Sequence, residues 1–483
     1  RLGRTVAGQG LGLAGVFGAA AVRFPGRAAV IDERGTLTYR ELDERANALA
    51  DSLAALGVGE GDGVALLARN HRGFIETAVA ATRLGADVLL LNTSFAAPQL
   101  REVCEREGAK TIVFDLEFSG IIENSGFDAP RMLSWVEDGA TVPEGVDTVE
   151  AAIARGSRAP RKAPRRLGKT IILTSGTTGT PKGAARGAAH LDVPVGLLER
   201  IPYRAGMVVH DAAPLFHFWG LSQYQISLLL GNTVVLTRRF DPTSFLETLR
   251  EHRCDAAVVI PVMLQRVLAL PEATRSAYSL PDLKVVAASG SALPGELAVA
   301  WMDAFGDNLY NTYGSTEVSL VTIATPADMR ALPGTSGRAV ITSTVRLFDA
   351  DGRDVPQGET GRIFAGNSML FEGYTGGGNK EVLEGLMSTG DIGRFDDAGR
   401  LFIEGRDDEM IVSGGENVFP KEVEDCLARH ERVLEVAAVG VEDSDFGKRL
   451  RAFVVVAEGQ DVTEDELRDW VKGDLARYKV PRE

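Results

Sequence analysis

Thr174-Ser175-Gly176-Thr177-Thr178-Gly179-Thr180-Pro181-Lys182-Gly183 is the stretch on which the reading of this chain turns, and it stands directly behind a strand-like run over 170–173. Glycines let a backbone fold back so that its N–H groups converge on an anion, and hydroxyls add further donors. Lys182 supplies a compact positive charge for a phosphate. A polar surface turn is the bland alternative, but a segment drawn only from Thr, Ser, Gly, Pro and Lys after a buried strand makes it weak. The loop is not a Walker A motif, because Lys182 precedes a glycine and no Ser or Thr follows it. A second glycine pattern, Gly10-Leu11-Gly12-Leu13-Ala14-Gly15, follows no strand and sits in an apolar N-terminal stretch, so a dinucleotide site there is not expected.

Outward from the loop, strand-like and helical runs alternate. Leu42, Ala46, Leu49, Leu53 and Leu56 recur at helical spacing, Thr38 with Glu41 forms a capping box, and Gly57 marks the end. The runs 64–67, 88–91 and 111–114 read as parallel strands buried on both faces, and 234–236, 256–260 and 283–287 repeat the pattern. This predicts an α/β domain with more than one sheet. From about Ser343 the strands 344–348, 362–365 and 400–403 are short and divided by Asp-Gly, Glu-Gly or Gly-rich turns, which predicts an antiparallel sheet or small barrel. Beyond Arg406 a small α+β unit follows, with a helix near 421–429, strands near 433–441 and 451–456, and a helix opened by Thr463 and Glu466.

The chain has 483 residues, 45% hydrophobic and 25% charged, as soluble globular proteins do. Its 52 Lys and Arg against 67 Asp and Glu leave a net charge of −15, which disfavours nucleic acid and anionic membranes as partners. Three scattered cysteines, Cys104, Cys254 and Cys426, give neither a disulfide framework nor a zinc ribbon and fit a reducing compartment. No apolar run is long enough to span a bilayer, and 11–22 reads as a buried N-terminal helix, not a leader. The expected location is cytoplasmic, with peripheral membrane contact open. Arg158, Arg161, Lys162, Arg165 and Arg166 form one basic stretch over 155–169; a solvated linker is the favoured reading and a phosphate or membrane docking patch the sharper one.

The Ser/Thr/Gly-rich loop ending Pro181-Lys182-Gly183 resembles the signature of the adenylate-forming enzymes, which include acyl-CoA synthetases, firefly luciferase and peptide-synthetase adenylation domains. The resemblance covers nearly the whole chain. Ala213-Pro214-Leu215-Phe216-His217 resembles the histidine gate motif, Ala288-Ser289-Gly290-Ser291-Ala292 the adenine loop, and Tyr313-Gly314-Ser315-Thr316-Glu317 the Y-G-x-T-E segment. Ser388-Thr389-Gly390-Asp391 and Gly405-Arg406-Asp407-Asp408 resemble the ribose and hinge motifs, and Ser413-Gly414-Gly415-Glu416-Asn417-Val418 continues in the family manner. The resemblance implies a large N-terminal domain over 1–405, with two α/β sheets and a small distorted β-barrel, and a small mobile α+β domain over 406–483.

It also implies a site. Lys182, His217, Thr316 and Glu317 take catalytic roles, with Glu317 as the Mg²⁺ ligand. Thr174, Ser175, Gly176, Thr177, Thr178, Gly179, Ser291, Ala292, Asn311, Thr312, Tyr313, Asp391 and Arg406 hold ATP or AMP. In physical terms Tyr313 can stack on adenine, Asp391 can accept from both ribose hydroxyls, and Arg406 is a fixed fork of donors. His217, Phe218, Trp219, Gly220, Ser289 and Gly290 line the acid site, with His217 as a positioning group. Asp408 falls at the hinge, and Gly414 with Gly415 would line a tunnel for the thiol of CoA.

The implied reaction uses ATP, Mg²⁺ and CoA: a carboxylate attacks the α-phosphorus to give acyl-AMP, and a thiol then displaces AMP. Relatives carry an adenylation lysine shortly after a Tyr-Lys-Val-Pro sequence. Tyr478-Lys479-Val480-Pro481 is here, Lys479 is not that lysine, and the sequence ends at Glu483. A chain without the lysine is expected to adenylate poorly yet to use a preformed adenylate with a thiol. Phe218 replaces the aspartate with which peptide-synthetase domains hold an amino group, which disfavours amino acids. Trp219, Gly220 as room for a chain, and the apolar Ile226, Leu228, Leu229 and Leu230 suggest a medium- or long-chain aliphatic acid. The stretches 371–378 and 414–420 resemble fatty-acyl-CoA ligases of high-GC bacteria. Rival expectations are a ligase that loads a carrier protein and a non-catalytic binder of nucleotide or acyl-adenylate. A homodimer stays open.

Overall fold

Thr38 accepts the Glu41 N–H while the Glu41 carboxylate takes the Thr38 N–H, and this capping box opens the helix Tyr39–Ala55. Leu42, Ala46, Leu49 and Leu53 are fully buried along one face, whereas Leu56, the last member of the expected stripe, is 40% exposed because the helix has ended and Gly57 has turned at φ +82°. The computed structural model describes residues 12–174, 182–186, 192–375, 377–407, 411–413, 416–443, 447–457 and 459–483. The apolar N-terminal stretch forms the buried helix Leu13–Arg23. Gly12 caps that helix and Gly15 lies in its first turn, while Gly10 and Leu11 of the second glycine pattern lie outside the described residues.

A seven-stranded sheet runs in the order Asp147–Thr148, Arg131–Trp135, Ala109–Asp115, Gly63–Leu67, Asp87–Leu90, Thr170–Thr174, Lys182–Arg186. All its pairs are parallel except the last, where Thr170–Thr174 turns back antiparallel on Lys182–Arg186. A nine-stranded sheet contains the parallel neighbours Leu309–Ser315, Val285–Ala288, Ala256–Val259, Val208–Asp211, Thr233–Val235 and Ala28–Asp32. The sheets share one core with the helices Leu13–Arg23, Tyr39–Ala55, Arg72–Arg83 and Phe218–Leu230. Arg72–Arg83 is buried along its whole length, so its charges need partners. Asp32 pairs with Arg72, Asp43 with Arg83, and Arg45 with Glu76.

The strands Thr344–Phe348, Gly361–Gly366, Leu386–Phe395 and Leu401–Arg406 form an antiparallel sheet, as the turn-rich sequence predicts. Past Ile411 a four-stranded sheet packs on the helices Pro420–Ala428 and Glu464–Asp474 around its own core of Ile411, Val418, Val423, Leu427 and Leu450. The three cysteines are free and buried. The basic stretch is tied down: Arg158 pairs with Glu44, Arg161 with Asp51, Arg166 with Asp87 and Lys169 with Glu372. These pairs with the chain's own carboxylates favour the linker reading over a docking patch. Among the described residues no helix is long and apolar enough to cross a membrane.

Candidate active site

The strands on either side of the phosphate-type segment, Thr170–Thr174 and Lys182–Arg186, pair antiparallel, and their register sets Thr174 opposite Lys182. Ser175, Gly176, Thr177, Thr178 and Gly179 lie outside the described residues, as do Asp408, Gly414 and Gly415; of Thr174 only the backbone is described.

Every other residue expected at the site lines one cleft of about 1800 Å³. Lys182, His217, Phe218, Trp219, Gly220, Ser289, Gly290, Ser291 and Ala292 all line it. Asn311, Thr312, Tyr313, Thr316, Glu317, Asp391 and Arg406 complete the wall. The second helix-bearing unit closes over it through Lys421, Glu422, Asp425 and Arg429, and Arg429 Nε lies 3.8 Å from Glu296 Oε1 across the gap.

Strand register builds one end. Asp391 sits opposite Arg406 in adjacent antiparallel strands, and Arg406 Nη1 donates to Asp391 Oδ1 at 3.3 Å. Tyr313 Oη donates to Asp391 Oδ2 at 2.6 Å. Gly390 stands at φ +82°, a backbone conformation that favours glycine, and has the Arg406 guanidinium 3.2 Å from where a Cβ would stand, so a side chain there would be strained and would crowd Arg406. Burial raises the Asp391 carboxyl above the ordinary carboxylate value, opposed by Tyr313 and Arg406. Burial, with Asp391 beside it, likewise raises the Tyr313 phenol. Asp391 is thus a fixed acceptor with lone pairs left for vicinal hydroxyls.

Glu317 closes the same end. Ser315 Oγ donates to Glu317 Oε2 and Tyr374 Oη to Oε1, each at 2.9 Å. One donor per oxygen leaves lone pairs on both, and hard carboxylate oxygens suit Mg²⁺. Among the described residues no group of three or more His, Cys, Asp or Glu could hold a metal alone. Glu317 therefore fits an ion that takes the rest of its ligands from phosphate oxygens and water.

Packing builds the other end. Asn70 Nδ2 donates to Ala213 O at 2.8 Å and Asp211 O at 3.2 Å, while Asn70 Oδ1 accepts the Leu215 N–H at 2.9 Å. One buried amide from the seven-stranded side thus pins the loop that carries His217. His217 caps the helix Phe218–Leu230 without a side-chain bond and opens on the cleft. Its ring stands 4.5 Å from that of Phe216, and desolvation by the surrounding walls lowers its pKa. The imidazole is neutral near pH 7 and can orient a carboxylate without a formal charge. Trp219 Nε1 donates to Val259 O at 3.0 Å, which fixes the indole. A Cβ on Gly220 would lie 2.6 Å from Pro214 O and 2.8 Å from Ala213 O. The glycine lets the helix approach this loop; it does not open room for an acyl chain, and the expectation based on it is corrected. Ser289 Oγ donates to Thr312 O at 2.7 Å, so it braces the adenine-loop strand against its neighbour.

Sequence reasoning passed over Asn70 entirely and used Tyr374 only as part of a resemblance. A lone Asn after a buried strand gives no signal until its partners, more than 140 residues away, are known.

Comparison with known proteins follows from this geometry. A family model described as AMP-binding enzyme matches residues 17–375, and one described as AMP-binding enzyme C-terminal domain matches 422–483. The chain is 32% identical over 469 residues to an indoleacetate–CoA ligase of Aromatoleum aromaticum, covering 95% of this chain and 91% of that protein. It is 34% identical over 469 residues to a feruloyl-CoA synthase of an Amycolatopsis species, covering 95% and 92%. The crystallised o-succinylbenzoate CoA synthetase of Bacillus subtilis, with its acyl-adenylate bound, superimposes with a TM-score of 0.82 at 26% identity, covering 97% of this chain and 93% of that one.

Proposed function

The chain belongs to the AMP-binding enzyme family, and from that premise we propose that it is an ATP-dependent acid–CoA ligase working through an acyl-adenylate. The observation that carries this is the meeting, in one cleft, of Lys182 and Glu317 with the Tyr313–Asp391–Arg406 cluster and a wall headed by His217.

In the first half-reaction a carboxylate oxygen attacks the α-phosphorus of ATP, the bond to pyrophosphate breaks, and acyl-AMP forms. Asp391 and Arg406 hold the ribose, Ser291, Ala292, Asn311, Thr312 and Tyr313 seat the adenine, and Lys182 with Thr316 meets the phosphates. His217 orients the incoming carboxylate. Mg²⁺ held at Glu317 would neutralise phosphate charge when bound. In the second half the thiol of CoA attacks the acyl carbon, its proton goes to solvent, and the bond to AMP breaks. The unit over 1–405 holds ATP and acid, and the unit over 406–483 turns about Asp408 between the halves, bringing Gly414 and Gly415 to the thiol.

An acid with an aromatic body is the preferred substrate class. Phe218 and Trp219 offer flat walls, Gly220 is filled by backbone, and the relatives named above are named for aromatic acids. A medium- or long-chain fatty acid is the second reading, favoured by Ile226 on the cleft wall; Leu228, Leu229 and Leu230, expected to line a chain pocket, pack in the core instead. Mass spectrometry of products from ATP, Mg²⁺ and a panel of aryl and graded aliphatic acids, with and without CoA, tests both. Aryl-CoA formed only with CoA supports the proposal, and fatty-acyl-CoA selects the second reading. Acyl-AMP that ignores CoA indicates a carrier-protein ligase, and AMP binding without turnover indicates a binder only.

A further inference from the structure

Tyr374 joins two groups that the sequence keeps 135 residues apart, Lys182 and Glu317. Its Oη donates to Glu317 Oε1 at 2.9 Å, and the Lys182 ammonium lies 5.1 Å from the centre of its ring. The backbone around Tyr374 is held from the same two sides. Phe371 N–H donates to Glu317 O at 2.8 Å, Thr375 N–H donates to Gly183 O at 2.9 Å, and Tyr374 bridges to Ala184 of the hairpin. Phe371 packs edge-on against the ring at 4.8 Å. A neutral donor fixes a carboxylate without discharging it, and an aromatic face seats an ammonium without forming an ion pair with it.

We propose that Tyr374 is a positioning residue that aligns Glu317 and Lys182 for the triphosphate end of the nucleotide, with its hydroxyl serving Glu317 and its ring serving Lys182. This rests on the ligase reading and deepens it. The two handles of one side chain keep cation and carboxylate at fixed stations before nucleotide arrives, which lowers the ordering cost of binding.

Calorimetric titration of the full chain tests this with α,β-methylene-ATP, with and without Mg²⁺, and with AMP. Tyr374→Phe removes one oxygen and keeps the ring. It should weaken binding of the Mg²⁺-loaded analogue about tenfold, leave AMP unchanged, and bind the metal-free analogue nearly as the natural protein does. Tyr374→Leu removes both handles and should weaken the metal-free analogue as well. Tyr374→Phe that binds the Mg²⁺-loaded analogue as the natural protein does overturns the proposal. So does a variant that weakens AMP and analogue alike, because that is a general structural role. A natural protein that binds neither nucleotide overturns the ligase reading itself, which separates the two failures.

Discussion

The two ends of the cleft are built on different principles. At the nucleotide end, cross-strand register sets Asp391 against Arg406, and Tyr313 bonds to the same carboxylate. Side chains there meet side chains. At the acid end the loop 211–217 is shaped by backbone contacts: three hydrogen bonds from Asn70 and the close approach of Gly220 to two carbonyls. On the ligase reading proposed above, the first arrangement would fix chemistry and give affinity for one ligand. The second fixes a shape, and a shape can be altered by small packing changes without touching the nucleotide.

Removing the hub of the nucleotide end should have the largest effect. Asp391→Ala leaves Arg406 and Tyr313 without their shared acceptor and strips the ribose of its own. We expect kcat/KM for ATP in pyrophosphate exchange to fall about a hundredfold, the loss of two hydrogen bonds to a charged group, while KM for the acid stays near its natural value. Equal loss toward both substrates would erase the distinction between the ends. The complementary variant is Gly220→Ala. Its methyl group meets Pro214 O and Ala213 O and must push the His217 loop outward. KM for the acid should rise about tenfold with a stability loss of about 1–3 kcal/mol, and KM for ATP should hold. Asn70→Ala leaves the Leu215 N–H and two carbonyls unpaired in a buried place. It should cost about 1–3 kcal/mol in urea unfolding, with a smaller change in KM for the acid than Gly220→Ala gives.

The same contrast explains what could be read from the sequence. Residue type alone marks the glycine-rich loop, whereas Glu317, Asp391 and Arg406 were reached only through the ordered motifs of the resemblance, since a Gly-Asp pair or a lone carboxylate is otherwise an ordinary turn or surface group. The α/β alternation, the Thr38–Glu41 box and the antiparallel strands after Ser343 follow from periodicity and turn residues. The hairpin return of Lys182–Arg186 was not legible, because its pairing depends on a partner strand and not on its own pattern. Gly220 was misread for a related reason. A glycine shows that something approaches closely but not what, and here backbone carbonyls fill the space that an acyl chain was expected to use. Tyr374 and Asn70 act across long sequence separations with ordinary residue types, so neither stood out.

The smallest effect expected on turnover concerns Asp211, at the root of the acid-end loop. Its carboxylate is fully buried, and neither oxygen has a hydrogen-bond partner among the described residues. The Ala213 N–H, which would offset the burial, donates to Val258 O. Burial therefore holds the Asp211 pKa well above the ordinary value. A carboxyl whose folded pKa is raised contributes stability below its unfolded pKa and loses it as pH rises toward the folded one, by about 1.4 kcal/mol per pH unit. Asp211→Asn keeps the shape and cannot ionise. Its stability relative to the natural protein should therefore grow between pH 5 and pH 8 in urea unfolding, with an unchanged m-value. Parallel pH profiles would show that Asp211 is compensated in the folded chain. The nucleotide end offers the control, since Asp391 has Tyr313 and Arg406 as partners and Asp391→Asn should show a weaker pH slope than Asp211→Asn. If Asp211→Asn also leaves KM for the acid unchanged, the buried charge is a cost carried by the acid end and not part of how it holds its substrate.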